Sequence, residues 1–249
     1  MLAYRARYYV GILTYLFNVA VYYFIWRAVF RHSDSLMGLT LAEMVTYVAV
    51  GWTIRSFYFN DIDRDMAAQV QEGRLAMNLI RPVDFQAATI FDAAGQSAFR
   101  ALLFTAPIAV VVLVLFPVRP PASFTAGALF VLSAILSFCL VAALNFAVGL
   151  VAIHTKSIMG ILRAKYLVLE LLSGLLIPTT LFPQPLRSIL LASPFPHINF
   201  TPASLYLGKA TGGAAARLLL GQTLWTVALL VLGRFLWDRS RHKITIQGG

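Results

Sequence analysis

The chain has 249 residues, of which 59% are hydrophobic and only 12% are charged. Soluble domains average about 25% charged residues, so this composition excludes an ordinary soluble protein and favours a membrane protein. The net charge of +10 fits contacts with anionic lipid head groups, and no basic face with stacking aromatic residues suggests a nucleic-acid partner.

Six apolar runs are long enough to cross a bilayer as helices, since a span needs about 20 mostly apolar residues. The runs are unbroken, which favours an all-α polytopic membrane protein over a transmembrane barrel. The first run is too long for a cleavable signal, and a single cysteine, Cys139, gives no disulfide framework. The predicted spans are residues 8–30, 41–59, 99–116, 124–153, 160–182 and 218–237.

The distribution of Lys and Arg predicts the orientation of these spans. If the N-terminus lies inside, most of the 20 Lys and Arg residues fall in or beside cytoplasmic segments, as the positive-inside rule requires. This predicts a multi-pass protein of the plasma membrane (the inner membrane in bacteria) with both termini in the cytoplasm. Thr40 and Glu43 have the spacing of a capping box, which predicts the start of the second helix and a structural role for Glu43.

The longest predicted cytoplasmic connection joins spans two and three and is unusually acidic. Its apolar residues recur at helical spacing, Gly73 interrupts the pattern, and Pro82 disfavours helix at Arg81. We therefore predict a short amphipathic helix within residues 61–79. Its apolar positions are Ile62, Met66 and Val70, followed by Leu75 after the glycine, and its carboxylates are Asp61, Asp63, Asp65 and Glu72.

A proline-rich segment, residues 183–208, follows the fifth predicted span. Its apolar stretches are too short to cross a bilayer, which predicts interfacial or re-entrant helices on the external side.

Polar residues inside the predicted spans allow two interpretations. An ionised Glu170 near the middle of span five costs at least about 2.5 kcal/mol on insertion scales. It could line a substrate path, or it could form interhelical hydrogen bonds, with Tyr166 one turn earlier as a partner. For Asn18, Asn145 and Tyr22, packing is the preferred interpretation.

The sequence contains no pattern that predicts catalysis by this chain. It has no phosphate-binding loop, and its histidines are scattered without the spacing of a metal site. We therefore expect no catalytic residue, no metal ligand and no cofactor.

Three motifs, taken in order, resemble those of a known transporter family. The first is Val70-Gln-Glu-Gly73-Arg-Leu75, which continues to Leu79-Ile-Arg81-Pro82. The second runs from Ser173-Gly174 to Pro178, then through Phe182-Pro183, Pro194-Phe195 and Pro202 to Tyr206-Leu-Gly208. A weaker third covers residues 243–249. Together they are similar to the permease subunits of export-type (type-2) ATP-binding-cassette (ABC) transporters with six transmembrane helices, and the resemblance covers nearly the whole chain.

This resemblance implies how the chain would work. Residues 61–79 would be a cytosolic coupling helix that docks on a dimer of separate ABC ATPases, which hold the ATP and Mg²⁺. Its apolar face would enter a groove on the ATPase while flanking charges fix the register. The residues implied in coupling are Asp61, Ile62, Asp65, Met66, Val70, Glu72, Gly73, Leu75, Arg81 and Pro82.

A second permease subunit, identical or homologous, would complete the translocation path. Candidate path residues are Asn18, Tyr22, Asn145 and Glu170, and candidate residues of an external gate are Pro178, Phe182, Pro183 and Pro194. Few residues precede the first span, so the N-terminal amphipathic helix common in the family is expected to be short or absent. The main alternative is an ion- or proton-coupled carrier in which Glu170 titrates, and a membrane enzyme is disfavoured.

Overall fold

The computed structural model describes residues 2–36, 38–75, 78, 82–155 and 158–241. Arg81, Leu79 and the C-terminal pattern at residues 243–249 therefore lie outside the described residues. Within the described residues the chain is mostly helical, with one small antiparallel hairpin formed by β1 (Ser35–Leu36) and β2 (Leu39–Thr40).

The helices follow one another with short connections. They are α1 (Leu2–Val29), α2 (Leu41–Tyr58), α3 (Ile62–Gln71), α4 (Phe85–Arg100), α5 (Ala106–Leu115), α6 (Phe124–Leu150), α7 (Met159–Leu172), α8 (Gln184–Leu191), α9 (Pro196–Tyr206) and α10 (Gly212–Ser240). We call the end of the bundle that carries the β1–β2 hairpin the hairpin end, and the end that carries α3 the α3 end.

Four helical segments of the described chain are long and apolar enough to cross a membrane. They are Tyr9–His32, Phe85–Leu115, Phe124–Ile153 and Gly212–Ser240. Many of their large apolar side chains are exposed, Phe17, Phe91 and Val114 among them, as expected for surfaces that face lipid or another subunit. The prediction of a helical, multi-pass membrane protein is confirmed at this level.

The predicted capping box starts α2. The Thr40 hydroxyl accepts a hydrogen bond from the Glu43 backbone N–H at 3.4 Å, and the Glu43 carboxylate accepts one from the Thr40 N–H at 2.9 Å. These bonds satisfy two amides that the first turn leaves without partners. From this start α2 runs through the centre of the bundle, packed against α1, α6 and α9.

The helix that contains the predicted third span begins well before Phe99. Asp84 caps it by accepting a hydrogen bond from the Ala87 N–H at 2.8 Å, and α4 then runs through a π-helical stretch, Ala101–Thr105, into α5. α4 buries Phe85 and Ala93 on one side only, whereas the sequence of α5 is apolar on every face. The earlier start escaped prediction because residues 85–98 are too polar to pass as part of a span.

The continuous helix predicted over residues 160–182 is wrong, because α7 ends before Ser173. Gly174 has φ +83°, a conformation that favours glycine. Two other elements satisfy the carbonyls at this break. The Phe200 N–H of α9 donates to the Ser173 carbonyl at 3.1 Å, and the Tyr47 hydroxyl of α2 donates to the Gly174 carbonyl at 2.6 Å.

Close packing of α3 on α6 depends on Gly149. A Cβ at this position would lie 2.8 Å from the Met66 sulfur and 3.1 Å from the Cα of Asp63. The glycine therefore lets the backbones of the two helices approach closely. Ile62 and Met66 pack in the core beside α6, with Phe146 and Leu150.

We expect Gly149→Ala to destabilise the protein by about 1–3 kcal/mol, because the added methyl overpacks this contact. Gly95→Ala is the matched control, since nothing lies within 4 Å of the Cβ it would add. Thermal unfolding in detergent measures both. A Gly149→Ala protein as stable as the control would show that α3 does not press on α6 at this glycine.

Candidate functional site

A buried ion pair fixes α3 to α7. The Asp63 carboxylate and the Lys165 ammonium are in direct contact, with side chains 0% and 7% exposed. The Lys165 nitrogen also lies 4.3 Å from the centre of the Tyr166 ring, a cation–π distance. Two charges placed this deeply are tolerated because each satisfies the other.

Two asparagines extend the ion pair to α6 and to the end of α2. Lys165 donates to Oδ1 of Asn145 on α6 at 2.8 Å. The amide nitrogen of Asn145 in turn donates to both the backbone carbonyl and the side-chain oxygen of Asn60, each at 2.9 Å. We call Asn60, Asp63, Asn145 and Lys165 the polar junction. It joins α3, α6, α7 and the α2–α3 connection through buried hydrogen bonds.

A second ion pair joins α2 to α7 further from α3. Arg55 contacts Glu170 directly, and the two side chains are 19% and 34% exposed. The Arg55 guanidinium also lies 5.2 Å from the ring centre of Trp52 and 5.6 Å from that of Phe59. Glu170 therefore has Arg55 as its partner in place of Tyr166, which the hydrogen-bonding interpretation offered.

A small cavity separates the Arg55–Glu170 pair from the polar junction. Its volume is about 30 Å³, which is on the scale of one or two water molecules. Asn60, Asn145, Tyr166 and Glu170 contribute to its walls. The Tyr166 hydroxyl is buried and has no hydrogen-bond partner among the described residues. Although these polar groups line it, the cavity is far too small for an organic solute.

The outward face of α3 is polar, which corrects the predicted role of its apolar face. Ile62 and Met66 are 4% and 1% exposed, Val70 is partly buried, and Leu75 is 2% exposed. These residues pack inside the chain and cannot enter a groove on another protein. Helical periodicity identified an apolar face correctly, but it could not tell which surface covers it.

Charged and polar side chains are what α3 presents outward. Arg64, Asp65, Gln71 and Glu72 are exposed, and Arg64 pairs with Asp61 at 3.5 Å. Gly73, with φ +70°, follows the helix, and beyond it Arg74 pairs with Glu72.

An open groove of about 700 Å³ lies beside this face, between α3 and α4. Its polar walls include Asp65, Gln69 and Arg74, with Asp92 across from them on α4. Partial burial, and then the nearby carboxylate of Asp61, raise the pKa of Asp65. Asp65 therefore takes up a proton at a higher pH than an isolated aspartate would.

A family model described as "ABC-2 family transporter protein" matches residues 16–248. The chain belongs to the ABC-2 family of transporter proteins. It is therefore a membrane component of a transport system, as the motifs predicted. Comparisons with curated proteins and with solved structures each found no significant match.

The predicted path residues of this ABC-2 protein fall into two groups. Asn145 and Glu170 line the same small cavity, although each already has a partner. Asn18 donates to the Thr14 carbonyl of its own helix at 2.8 Å, and the Tyr22 ring lies 6.2 Å from that of Trp52. The two α1 residues thus have local packing contacts, and a role for any of the four in a path stays a prediction.

The predicted gate residues bound the short elements between α7 and α10. Pro178 and Phe182 flank the 3-10 turn Thr179–Leu181, Pro183 precedes α8, and Pro194 lies just before α9. Pro82 lies just before α4.

Two residues of the polar junction carry more of the architecture than the sequence suggested. In the sequence, Lys165 is one of the 20 Lys and Arg residues whose distribution predicts orientation, and Asp63 is one of four carboxylates of the predicted amphipathic helix. A lysine within an apolar run was the available signal, because such a residue needs a partner. The sequence alone could not identify that partner.

Proposed function

We propose that this ABC-2 protein is the permease subunit of an ATP-driven exporter. Six spans would cross the membrane: α1, α2, the helix that continues from α4 into α5, α6, α7 with the turn after it, and α10. The chain would form half of a translocation path, with an identical or homologous permease as the other half. A cytosolic ATPase dimer would bind ATP and Mg²⁺, and both termini would lie in the cytoplasm, in bacteria beneath the inner membrane.

The observation that carries this proposal is the attachment of α3. A helix outside the long apolar segments is fixed to α6 and α7 by the polar junction, and its free face is charged. An isolated helix lying on lipid would bury its apolar face in the membrane. Here α3 buries that face in its own chain, which leaves a polar surface suited to a protein partner.

The mechanism follows from these contacts. Closure of the ATPase dimer would displace α3 at Asp65, Glu72 and the adjoining groove. Since Asp63 is bound to Lys165, the displacement would pass to α7 and, through Asn145, to α6. Tilting of these helices would open the path toward the hairpin end, where residues 183–208 would form the outer gate.

Reconstitution into proteoliposomes tests the proposal. The purified chain should hydrolyse no ATP alone, and it should form a stable complex with an ABC ATPase from the same organism when the two are expressed together. ATP hydrolysis in that complex should exceed that of the free ATPase. Failure of the two proteins to assemble would contradict the proposal.

The carrier alternative is tested with Glu170→Gln in the same proteoliposomes. If the exporter proposal is right, solute transport by the variant still requires the ATPase and ATP, and a pH gradient alone moves no solute. The contact with Arg55 already gives Glu170 a structural role. Solute uptake that follows a pH gradient without ATPase, and that Glu170→Gln abolishes, would instead establish the carrier.

A further inference from the structure

A second, larger cavity lies at the hairpin end of the molecule. Its volume is about 460 Å³, within the range of about 300–1,000 Å³ typical of small-molecule sites. The hairpin, α2, the 3-10 turn after α7, α8, α9 and the start of α10 all contribute residues to it. It lies apart from the polar junction and shares no lining residue with the small cavity there.

The walls of this cavity are largely apolar. Their aromatic and aliphatic side chains are Leu39, Tyr47, Leu191, Phe200, Leu207 and Leu218. Leu39 and Tyr47 are 7% and 2% exposed, so this lining is held by the core. Thr180 also lines the cavity, and its hydroxyl is buried with no hydrogen-bond partner among the described residues.

All the charged residues that line this cavity are basic. Arg187 from α8, Lys209 from the α9–α10 connection and Arg217 from α10 line it, and no acidic residue does. Lys209 is compensated, because it contacts Glu43 at 2.7 Å and donates to the Gly38 carbonyl at 3.1 Å. Arg187 and Arg217 form no ion pair with any carboxylate in the part of the chain that the structure describes.

We propose that this cavity binds an anionic amphiphile, a molecule with a phosphate or carboxylate head and an apolar chain. Arg187 and Arg217 would hold the head, since guanidinium groups donate paired hydrogen bonds to phosphate and carboxylate. The apolar walls would take the first part of the chain. The site is built from one chain, so it does not depend on the proposed ATPase partner.

Dodecyl phosphate is the probe, added to the full-length protein in nanodiscs of phosphatidylcholine. We expect saturable binding, and we expect R187Q/R217Q to weaken it by about ten- to a hundredfold or more, because charge-assisted hydrogen bonds to the head are lost. R31Q/R119Q is the matched control. It removes the same charge at the same end of the molecule, from two exposed arginines that do not line the cavity.

Two further ligands distinguish a specific anionic site from nonspecific electrostatic or hydrophobic binding. Dodecyltrimethylammonium, with the same chain and the opposite charge, should not compete with dodecyl phosphate. Inorganic phosphate should compete far more weakly, because it lacks the chain. The proposal would be overturned if dodecyl phosphate did not bind saturably, or if either of these ligands bound as tightly as dodecyl phosphate does. It would also be overturned if both double variants weakened binding equally. The single variants R187Q and R217Q, with unfolding midpoints matching the wild type, exclude misfolding as the cause.

The lipid composition of the nanodisc shows whether the amphiphile comes from the membrane or from the aqueous side. If phosphatidylglycerol included in the nanodisc competes with dodecyl phosphate, the site takes a membrane lipid. If it does not compete while dodecyl phosphate binds, the site takes a single-chain amphiphile from the aqueous side. Both results support an anionic amphiphile site.

Discussion

Replacing Asp63 with Ala is expected to destabilise the protein by about 3–5 kcal/mol, because Lys165 is left charged and buried without its partner. Few single substitutions have so large an effect. Unfolding of the purified protein in mixed micelles, followed by tryptophan fluorescence, measures the change. Lys165→Met should have a similar effect, since it leaves Asp63 buried with one hydrogen bond from the Arg64 amide and no cation.

The double variant Asp63→Ala/Lys165→Met separates loss of the ion pair from burial of an unpaired charge. It should recover much of the stability lost in either single variant, because neutral side chains replace both buried charges. Glu72→Ala breaks an exposed pair with Arg74 and should cost at most about 1 kcal/mol. If Asp63→Ala were no worse than Glu72→Ala, the polar junction would not hold α3 in place.

If the proposed function is right, reversing the charge on the outward face of α3 uncouples this chain from its proposed ATPase partner. Asp65→Lys with Glu72→Lys should lower permease-stimulated ATP hydrolysis about tenfold or more, since like charges facing each other in an interface cost several kcal/mol. The unfolding midpoint should stay near that of the wild type, because both side chains are exposed. ATP hydrolysis in proteoliposomes with the ATPase is the measurement.

Asp34→Lys is the control for this experiment, since it reverses an exposed carboxylate beside the hairpin. It should leave stimulated hydrolysis unchanged. Normal stimulation in the α3 variant, or an equal loss in the Asp34 variant, would show that the outward face of α3 is not the docking surface.

Sequence patterns predicted the features that depend on neighbouring residues. The capping box at Thr40 and Glu43 involves residues one turn apart, and the structure has both of its hydrogen bonds. Apolar runs identified long helices because the hydrophobic demand of a bilayer is the same along the whole span. The apolar face of α3 was also visible, since its period is that of the helix itself.

Features that join distant segments could not be predicted in this way. Asp63 and Lys165 are 102 residues apart in the chain, and Arg55 and Glu170 are 115 apart. A charged residue in an apolar run signals that a partner exists, but several carboxylates and cations were available to fill that role. The direction that α3 faces depends on Gly149, whose lack of a side chain matters only once α6 is known to lie beside it.

α7 is attached to other helices at both of its ends. α7 is 14 residues long, about 21 Å, and it contacts α3 through Lys165 near its first turns and α9 through the Ser173 carbonyl just past its last. A helix this short that is fixed at both ends is expected to move as one rigid unit. In the proposed mechanism, a displacement of α3 would therefore be transmitted to α9 along about four turns of α7 backbone.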